Sequence, residues 1–145
     1  MPIHPRSRTT VYRHRVRYFE ADQQGVVFNM WYLGYFDEAM TRFLEEGGLP
    51  YQRMLDAGFD VQLVRSEIDW RSSLRWPDDV SVEVRVEGTG STSFTLGFTV
   101  RRAGPEGGSG EEVAAGRTVY VVVSADGSGK RPIPPDLAAA LGTPG

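Results

Sequence analysis

Alternation of apolar and polar residues dominates the second half of the chain and predicts a set of β-strands. A period of two places successive side chains on opposite faces of a strand, so such segments are half buried. The pattern is clear over Val64–Trp70, Val80–Val86 and Phe94–Val100. Val113–Ser124 is apolar on both faces toward its end, as an interior strand often is. A first strand is predicted over Thr9–Phe19.

Between the first strand and the others, the period changes to that of a helix. Over Phe28–Glu46 apolar residues recur every three or four positions, which predicts one long helix. Gly47 and Gly48 end it, because glycine is favoured just past a helix end. Trp31 lies on its other flank, so much of the circumference is apolar and we expect other structure to wrap around it. A short helical turn over Pro50–Ala57 follows.

The order of these elements is strand, long helix and then four strands, which indicates the α+β class. An antiparallel sheet has one face free to cover the helix. The length of 145 residues fits a single domain. We expect a loose N-terminal arm over residues 1–8, a hairpin loop over Ala103–Gly110, and a Pro-rich tail over residues 132–145 that contains a short helix, Asp136–Leu141.

Composition and charge limit the cellular compartment and the kinds of partner, but they do not identify a function. The formal charge of −3 indicates neither a nucleic-acid-binding protein nor an acidic disordered tail. The chain has no cysteine, which excludes disulfides, thiolate zinc sites and a cysteine nucleophile. No signal-peptide stretch or long apolar segment is found, so we expect a cytoplasmic protein.

Several familiar chemistries lack their motifs. The sequence contains no G-x-S-x-G, no G-x-G-x-x-G and no phosphate-binding loop. His4 and His14 stand ten residues apart without the spacing of metal ligands, so we expect structural or exposed histidines and no metal cofactor.

One stretch carries a specific resemblance. Residues 18–32 read YFEADQQGVVFNMWY, from a strand end through a turn into the long helix. This resembles the signature of the hotdog-fold thioesterases related to 4-hydroxybenzoyl-CoA thioesterase: an aromatic-rich strand end, then Asp, two residues and Gly, an apolar triplet, a polar or aromatic residue, and Tyr three positions on. The resemblance extends over roughly Tyr12 to Leu137, including the run WRSSLRWPDD at residues 70–79. Ala21 and Asn29 depart from close bacterial relatives, which often have Thr and His there.

The resemblance implies the hotdog fold, a five-stranded antiparallel sheet wrapped around a long central helix. It also implies hydrolysis of an acyl-CoA or acyl-carrier-protein thioester, with Asp22 as nucleophile or general base and the amide near Asn29 polarising the carbonyl. The predicted substrate-binding residues are Gly25, Val27, Phe28, Tyr32 and Ser93. Candidates for the phosphates of coenzyme A are Arg71, Arg75, Arg101 and Arg102. No cofactor is expected apart from the coenzyme A of the substrate, and the expected assembly is a homo-oligomer with shared active sites.

Elementary chemistry gives Asp22 two interpretations. A carboxylate that activates water, beside the free N–H groups and positive potential of a helix N-terminus, suits thioester hydrolysis. A turn or helix-capping aspartate is an equally familiar use of the residue. The other predicted residues also have structural interpretations. Phe28 and Tyr32 could belong to the helix core, Asn29 could cap the helix, and Ser93 could be an exposed strand residue.

Two other functions remain open from the sequence. A hotdog hydratase or dehydratase with an Asp-His pair has its histidine five residues after the aspartate, where this chain has Val27. A non-catalytic acyl-binding module is the second alternative. The departures at Ala21 and Asn29 favour it, while Asp22 and Gly25 argue against it.

Overall fold

The computed structural model describes residues 7–104 and 110–144. In chain order the elements are β1 (Thr10–Arg15), a 3₁₀ turn (Tyr18–Glu20), α1 (Trp31–Glu46), α2 (Tyr51–Asp56), β2 (Phe59–Trp70), β3 (Asp79–Thr89), β4 (Ser93–Arg102), β5 (Glu112–Ser124) and α3 (Pro135–Leu141). This is the predicted order. Within this part of the chain, no helix is long and apolar enough to cross a membrane.

The strands form one antiparallel sheet with the spatial order β1-β3-β4-β5-β2. The expected α+β hotdog architecture is confirmed, and β5 is an interior strand as its apolar faces predicted. β1 and β2 are the two edges. β1 is short and carries arginines, whereas β2 is twice as long.

The long helix α1 packs across the sheet through an aromatic contact. The rings of Phe36 and Phe98 stack at 4.4 Å with an angle of 6°. Gly116 on β5 allows this approach, because a Cβ there would lie 2.8 Å from the Phe36 ring. The opposite flank of α1 stays open in the single chain: Gly34 and Glu38 are exposed, and Trp31 is partly so.

The boundaries around the first turn differ from those predicted. β1 ends at Arg15, and the chain turns because the Arg17 N–H donates to the Glu20 carboxylate at 2.9 Å. The helix begins at Trp31, three residues later than Phe28. The Phe28 N–H is bonded to the Glu20 carbonyl at 3.0 Å, and residues 29 and 30 form a turn that leads into the helix.

Both ends of the described chain pack against α1. Residues 1–6 of the expected loose arm lie outside the described residues, but Arg8 is anchored. Its guanidinium donates to the carbonyls of Phe43, at 2.7 Å, and Ala140. Helix α3 begins at Pro135, one residue earlier than predicted, and buries Leu137 and its last turn. Residues 105–109 of the expected hairpin loop also lie outside the described part.

Candidate functional site

Asp22 opens a tight hairpin that its own side chain helps to form. The Asp22 N–H donates to the Val26 carbonyl at 2.8 Å, and the Gly25 N–H donates to the Asp22 carbonyl at 2.9 Å. The carboxylate Oδ1 accepts the Gln24 N–H at 2.8 Å. Because Asp22 is exposed and Oδ2 accepts no hydrogen bond from any described residue, one carboxylate oxygen remains open to solvent or substrate.

Gly25 is required by the shape of this hairpin. Its φ of +77° is a left-handed conformation that residues with a Cβ rarely adopt. A Cβ at this position would also lie 3.4 Å from Nη1 of Arg75, whose guanidinium is beside the turn. The backbone of Gly25, which no side chain covers, and the guanidinium of Arg75 therefore lie next to Asp22.

Long-range contacts hold the hairpin in place. Val26 forms a β-bridge with Arg75, and the Val27 N–H donates to the Leu74 carbonyl at 2.8 Å. The Val27 side chain is buried in the core. Asp22 is thus supported by the loop between β2 and β3, which lies about fifty residues away in sequence.

The segment between the hairpin and α1 offers unpaired backbone donors. The N–H groups of Asn29 and Met30 form no hydrogen bond among the described residues, while those of Trp31 and the next two residues bond three positions back. Ala21 pairs with Val27 across the hairpin, so Asp22 and Asn29 lie within two residues of the same pair. The open carboxylate and these free donors therefore lie near the same bridged pair, at the positive end of α1.

Large apolar side chains surround this surface. Phe19, Phe28 and Met30 are each at least half exposed, and the rings of Phe19 and Trp31 meet edge to face at 5.5 Å. Such a concentration of exposed apolar side chains indicates a binding surface. Sequence reasoning singled out only Phe28 here. The available signal was that several aromatic residues flank a polar turn.

A buried polar cluster, missed from the sequence, supports the site from beneath. Glu20 is only 4% exposed, and its Oε1 accepts hydrogen bonds from Tyr35 Oη, His14 Nε2 and the Arg17 N–H, each at 2.9 Å. Burial alone would raise the pKa of Glu20, but these three contacts hold it below its ordinary value. Burial and the neighbouring Glu20 raise the pKa of Tyr35. The signal was a lone acid within an aromatic stretch, two residues before Asp22.

Replacing Glu20 by glutamine should lower the free energy of unfolding by about 2 kcal/mol at neutral pH, because the buried acceptor of three hydrogen bonds loses its negative charge. The pKa of Glu20 is lower in the folded protein than in the unfolded chain. The ionised carboxylate therefore stabilises the fold at any pH above the ordinary glutamate pKa, and this stabilisation is lost as the pH falls through the folded pKa. Denaturant unfolding at neutral pH and at about pH 3 checks this. The difference in the free energy of unfolding between the variant and the wild type should become smaller in acid. Glu45→Gln, at an exposed position on α1, is the matched control; an equal effect there would contradict the prediction.

The other predicted site residues divide between the core and a distant edge. Tyr32 is buried against Trp70, with ring centroids 5.9 Å apart, and burial raises its pKa, so its side chain is helix core. Ser93 starts β4 opposite the far end of β3. With a rise of about 3.3 Å per residue, that end lies roughly 30 Å from the end beside Asp22. Within one chain Ser93 and Asp22 are apart.

The described residues contain no candidate metal site: no group of three or more His, Asp or Glu side chains among them could hold an ion. His14 bonds to Glu20 and packs on Tyr35. His4 lies outside the described residues.

Comparison with known proteins agrees with the motif and the fold. A family model for the thioesterase-like superfamily matches residues 16–141. A hypothetical protein of Thermus thermophilus is 33% identical, with a TM-score of 0.79 over 90% of this chain and 95% of that one. A gentisyl-coenzyme A thioesterase is 25% identical, with a TM-score of 0.80 over 91% and 99%.

A 4-hydroxybenzoyl CoA thioesterase in complex with 4-hydroxybenzoyl CoA shares the fold at 20% identity, with a TM-score of 0.82 over 92% of this chain and 99% of that one. The resemblance drawn from residues 18–32 is confirmed. The chain therefore belongs to the thioesterase-like superfamily, and thioester hydrolysis is its class of activity.

Proposed function

We propose that this protein hydrolyses an acyl-CoA to the free acid and coenzyme A, using Asp22. The observation that carries the proposal is the open Oδ2 of Asp22 together with the unpaired N–H groups of Asn29 and Met30 just before α1. A carboxylate and oxyanion donors are the two elements that thioester hydrolysis requires. No helix is capped by Asp22, since α1 begins nine residues later.

In the general-base form of the mechanism, Asp22 takes a proton from water while the water oxygen bonds to the thioester carbonyl carbon. The carbonyl oxygen becomes an oxyanion that the Asn29 and Met30 N–H groups stabilise. The C–S bond then breaks, and the thiolate leaves and takes up the proton. In the nucleophilic form, the Asp22 carboxylate attacks the carbonyl carbon and the C–S bond breaks, so that the thiolate leaves. Water then hydrolyses the resulting mixed anhydride, which releases the free acid, restores Asp22 and supplies the proton that the thiolate takes up. Both forms use the same residues.

An apolar or aromatic acyl group suits the surroundings of Asp22. Phe19, Phe28 and Trp31 present apolar area beside the hairpin. Two of the structural relatives are named as thioesterases of aromatic acyl-CoA substrates. Gly25 shapes the hairpin through its backbone, whereas the side chains of Val27 and Tyr32 are buried in the core.

We also propose that the active protein is a homo-oligomer that pairs through β2. Leu63 and Val64 on this edge strand and Trp70 at its end are each about half exposed, and an unpaired apolar edge strand invites pairing with a second copy. As the family resemblance implies, we expect each active site in this assembly to be shared between two copies. The absence of cysteine is consistent with a cytoplasmic protein.

The decisive assay measures thiol release from a panel of short-chain, long-chain and aromatic acyl-CoA thioesters by the purified protein. We expect turnover of at least one apolar or aromatic member. If the protein binds these thioesters without releasing thiol, it is a non-catalytic acyl-binding module instead.

Metal removal should leave the reaction unchanged, because a carboxylate with backbone donors needs no Lewis acid. We expect the rate after treatment with a strong chelator to stay within about twofold of the untreated rate. A loss beyond about tenfold that is restored by a divalent cation would contradict the proposed chemistry.

A further inference from the structure

A second concave surface lies along the free edge of β1, next to the Asp22 hairpin. It is an open groove of about 570 Å³, a size within the range of small-molecule sites. Its walls include Arg13, Arg15, Arg17, Arg42, Tyr18 and Trp76. We call it the arginine groove.

The charge of the arginine groove is unbalanced. Arg15 forms an ion pair with Asp79 at 2.9 Å, but Arg13, Arg17 and Arg42 form none with any described residue. None of the described residues that line the groove is acidic. Besides Asp79, the acids close to these arginines are Glu20, Asp37 and Glu38, which line an adjoining hollow along α1 together with Arg17 and Arg42. Glu20 is already bonded to His14 and Tyr35.

Three of the four arginines suggested by the family resemblance are already in ion pairs; the fourth, Arg75, lies beside Gly25 without one among the described residues. Arg71 is paired with Glu112 at 3.0 Å, and Arg101 is paired with Glu83 at 3.1 Å. Arg102 contacts both Asp78 and Glu111. Binding a phosphate there would require breaking existing ion pairs, whereas the three arginines of the groove are free to bind one.

Two exposed aromatic rings stand at one end of the groove. Tyr18 is 77% exposed and Trp76 is 52% exposed, and their rings meet edge to face at 5.5 Å. Flat exposed aromatic faces beside arginines are the usual platform for a nucleotide base. Neither ring is needed to fill the core.

The groove is connected to the proposed active site. Trp76 follows Arg75, which bridges to Val26 in the hairpin, and Tyr18 belongs to the same 3₁₀ turn as Glu20. It lies on the β1 edge, at the opposite side of the sheet from β2, so pairing through β2 leaves it open.

We propose that the arginine groove binds the phosphorylated nucleotide end of the substrate's coenzyme A, with phosphates on Arg13, Arg17 and Arg42 and the adenine ring on Trp76 and Tyr18. This inference rests on the proposed function and deepens it, because it names the residues that recognise the nucleotide of coenzyme A. A carrier protein would present carboxylates but no base for the aromatic pair.

The test compares two thioesters of the same acyl group, one on coenzyme A and one on pantetheine, which lacks the nucleotide. The wild type should prefer acyl-CoA in kcat/KM, and the preference should weaken with added salt. The double variant Arg17→Gln, Arg42→Gln should reduce that preference about tenfold, mainly through KM, since each arginine supplies a charge-assisted contact. Calorimetry with free coenzyme A should show a matching loss of affinity.

Arg53→Gln is the matched control, because Arg53 on α2 is another exposed arginine without an ion pair among the described residues. It should keep the wild-type preference. Equal preference for the two thioesters in the wild type, or an unchanged preference in the double variant, would overturn the groove assignment while leaving hydrolysis intact. Preference for acyl-carrier protein over acyl-CoA would also overturn it. Failure to hydrolyse either thioester would instead remove the proposed function.

Discussion

Asp22→Asn should reduce thioester turnover by about 10²- to 10⁴-fold, because the variant loses the base or nucleophile of the reaction. Asparagine has the same shape, and its side-chain oxygen can still accept the Gln24 N–H that Oδ1 accepts at 2.8 Å. The hairpin should therefore persist, with a change in the free energy of unfolding of no more than about 1 kcal/mol. Thiol release and thermal unfolding, measured side by side, check both statements.

The chain supplies a matched control for this substitution. Asp126 occupies a similar turn, in which its Oδ1 accepts the Ser128 N–H at 2.8 Å, and it has no connection to the hairpin. Asp126→Asn should leave turnover at the wild-type level. An Asp22→Asn variant that unfolds at lower temperature but turns over at nearly the wild-type rate would show that Asp22 is only a turn residue.

Blocking the β2 edge should give a monomer whose turnover is lower by about 10²-fold or more, because the proposed pocket is completed by a second copy. The variant Leu63→Lys, Val64→Lys places two charges on an exposed edge without changing the core. Lysine on an edge strand opposes pairing with another strand. Light scattering gives the mass, and thiol release gives the rate, for the same preparation.

The other edge provides the comparison for this prediction. Val11→Lys changes a half-exposed valine on β1 and should preserve both assembly and turnover. A wild-type protein that is monomeric at micromolar concentration and fully active would contradict the proposed assembly. A β2 variant that stays oligomeric would place the interface elsewhere.

The strands and the family were predictable because their signals are local. The alternating valines of β3 predict a half-buried strand without any information from other segments. The spacing of Asp22, Gly25 and Tyr32, at a strand-to-helix junction and within this element order, indicates the family. The start of α1 was not predictable. Phe28 has a helical pattern, but its N–H is taken by the Glu20 carbonyl.

The candidate site was likewise predictable only in part. The sequence singled out Asp22 and Asn29 as catalytic and Tyr32 and Ser93 as substrate-binding residues. Tyr32 is buried in the core, and Ser93 lies at the far end of the sheet. Glu20 was overlooked, since nothing local shows that His14 and Tyr35 bond to it.

The sequence by itself determined the element order, the α+β class and the motif that carries the candidate carboxylate, because each depends on residue type and spacing along one segment. Only the tertiary structure decided which groups are free to act. The open oxygen of Asp22, the unpaired N–H of Asn29 and the unpaired charge of Arg17 depend on which donors and acceptors elsewhere are already taken. Such pairings join segments far apart in sequence, and local patterns do not encode them.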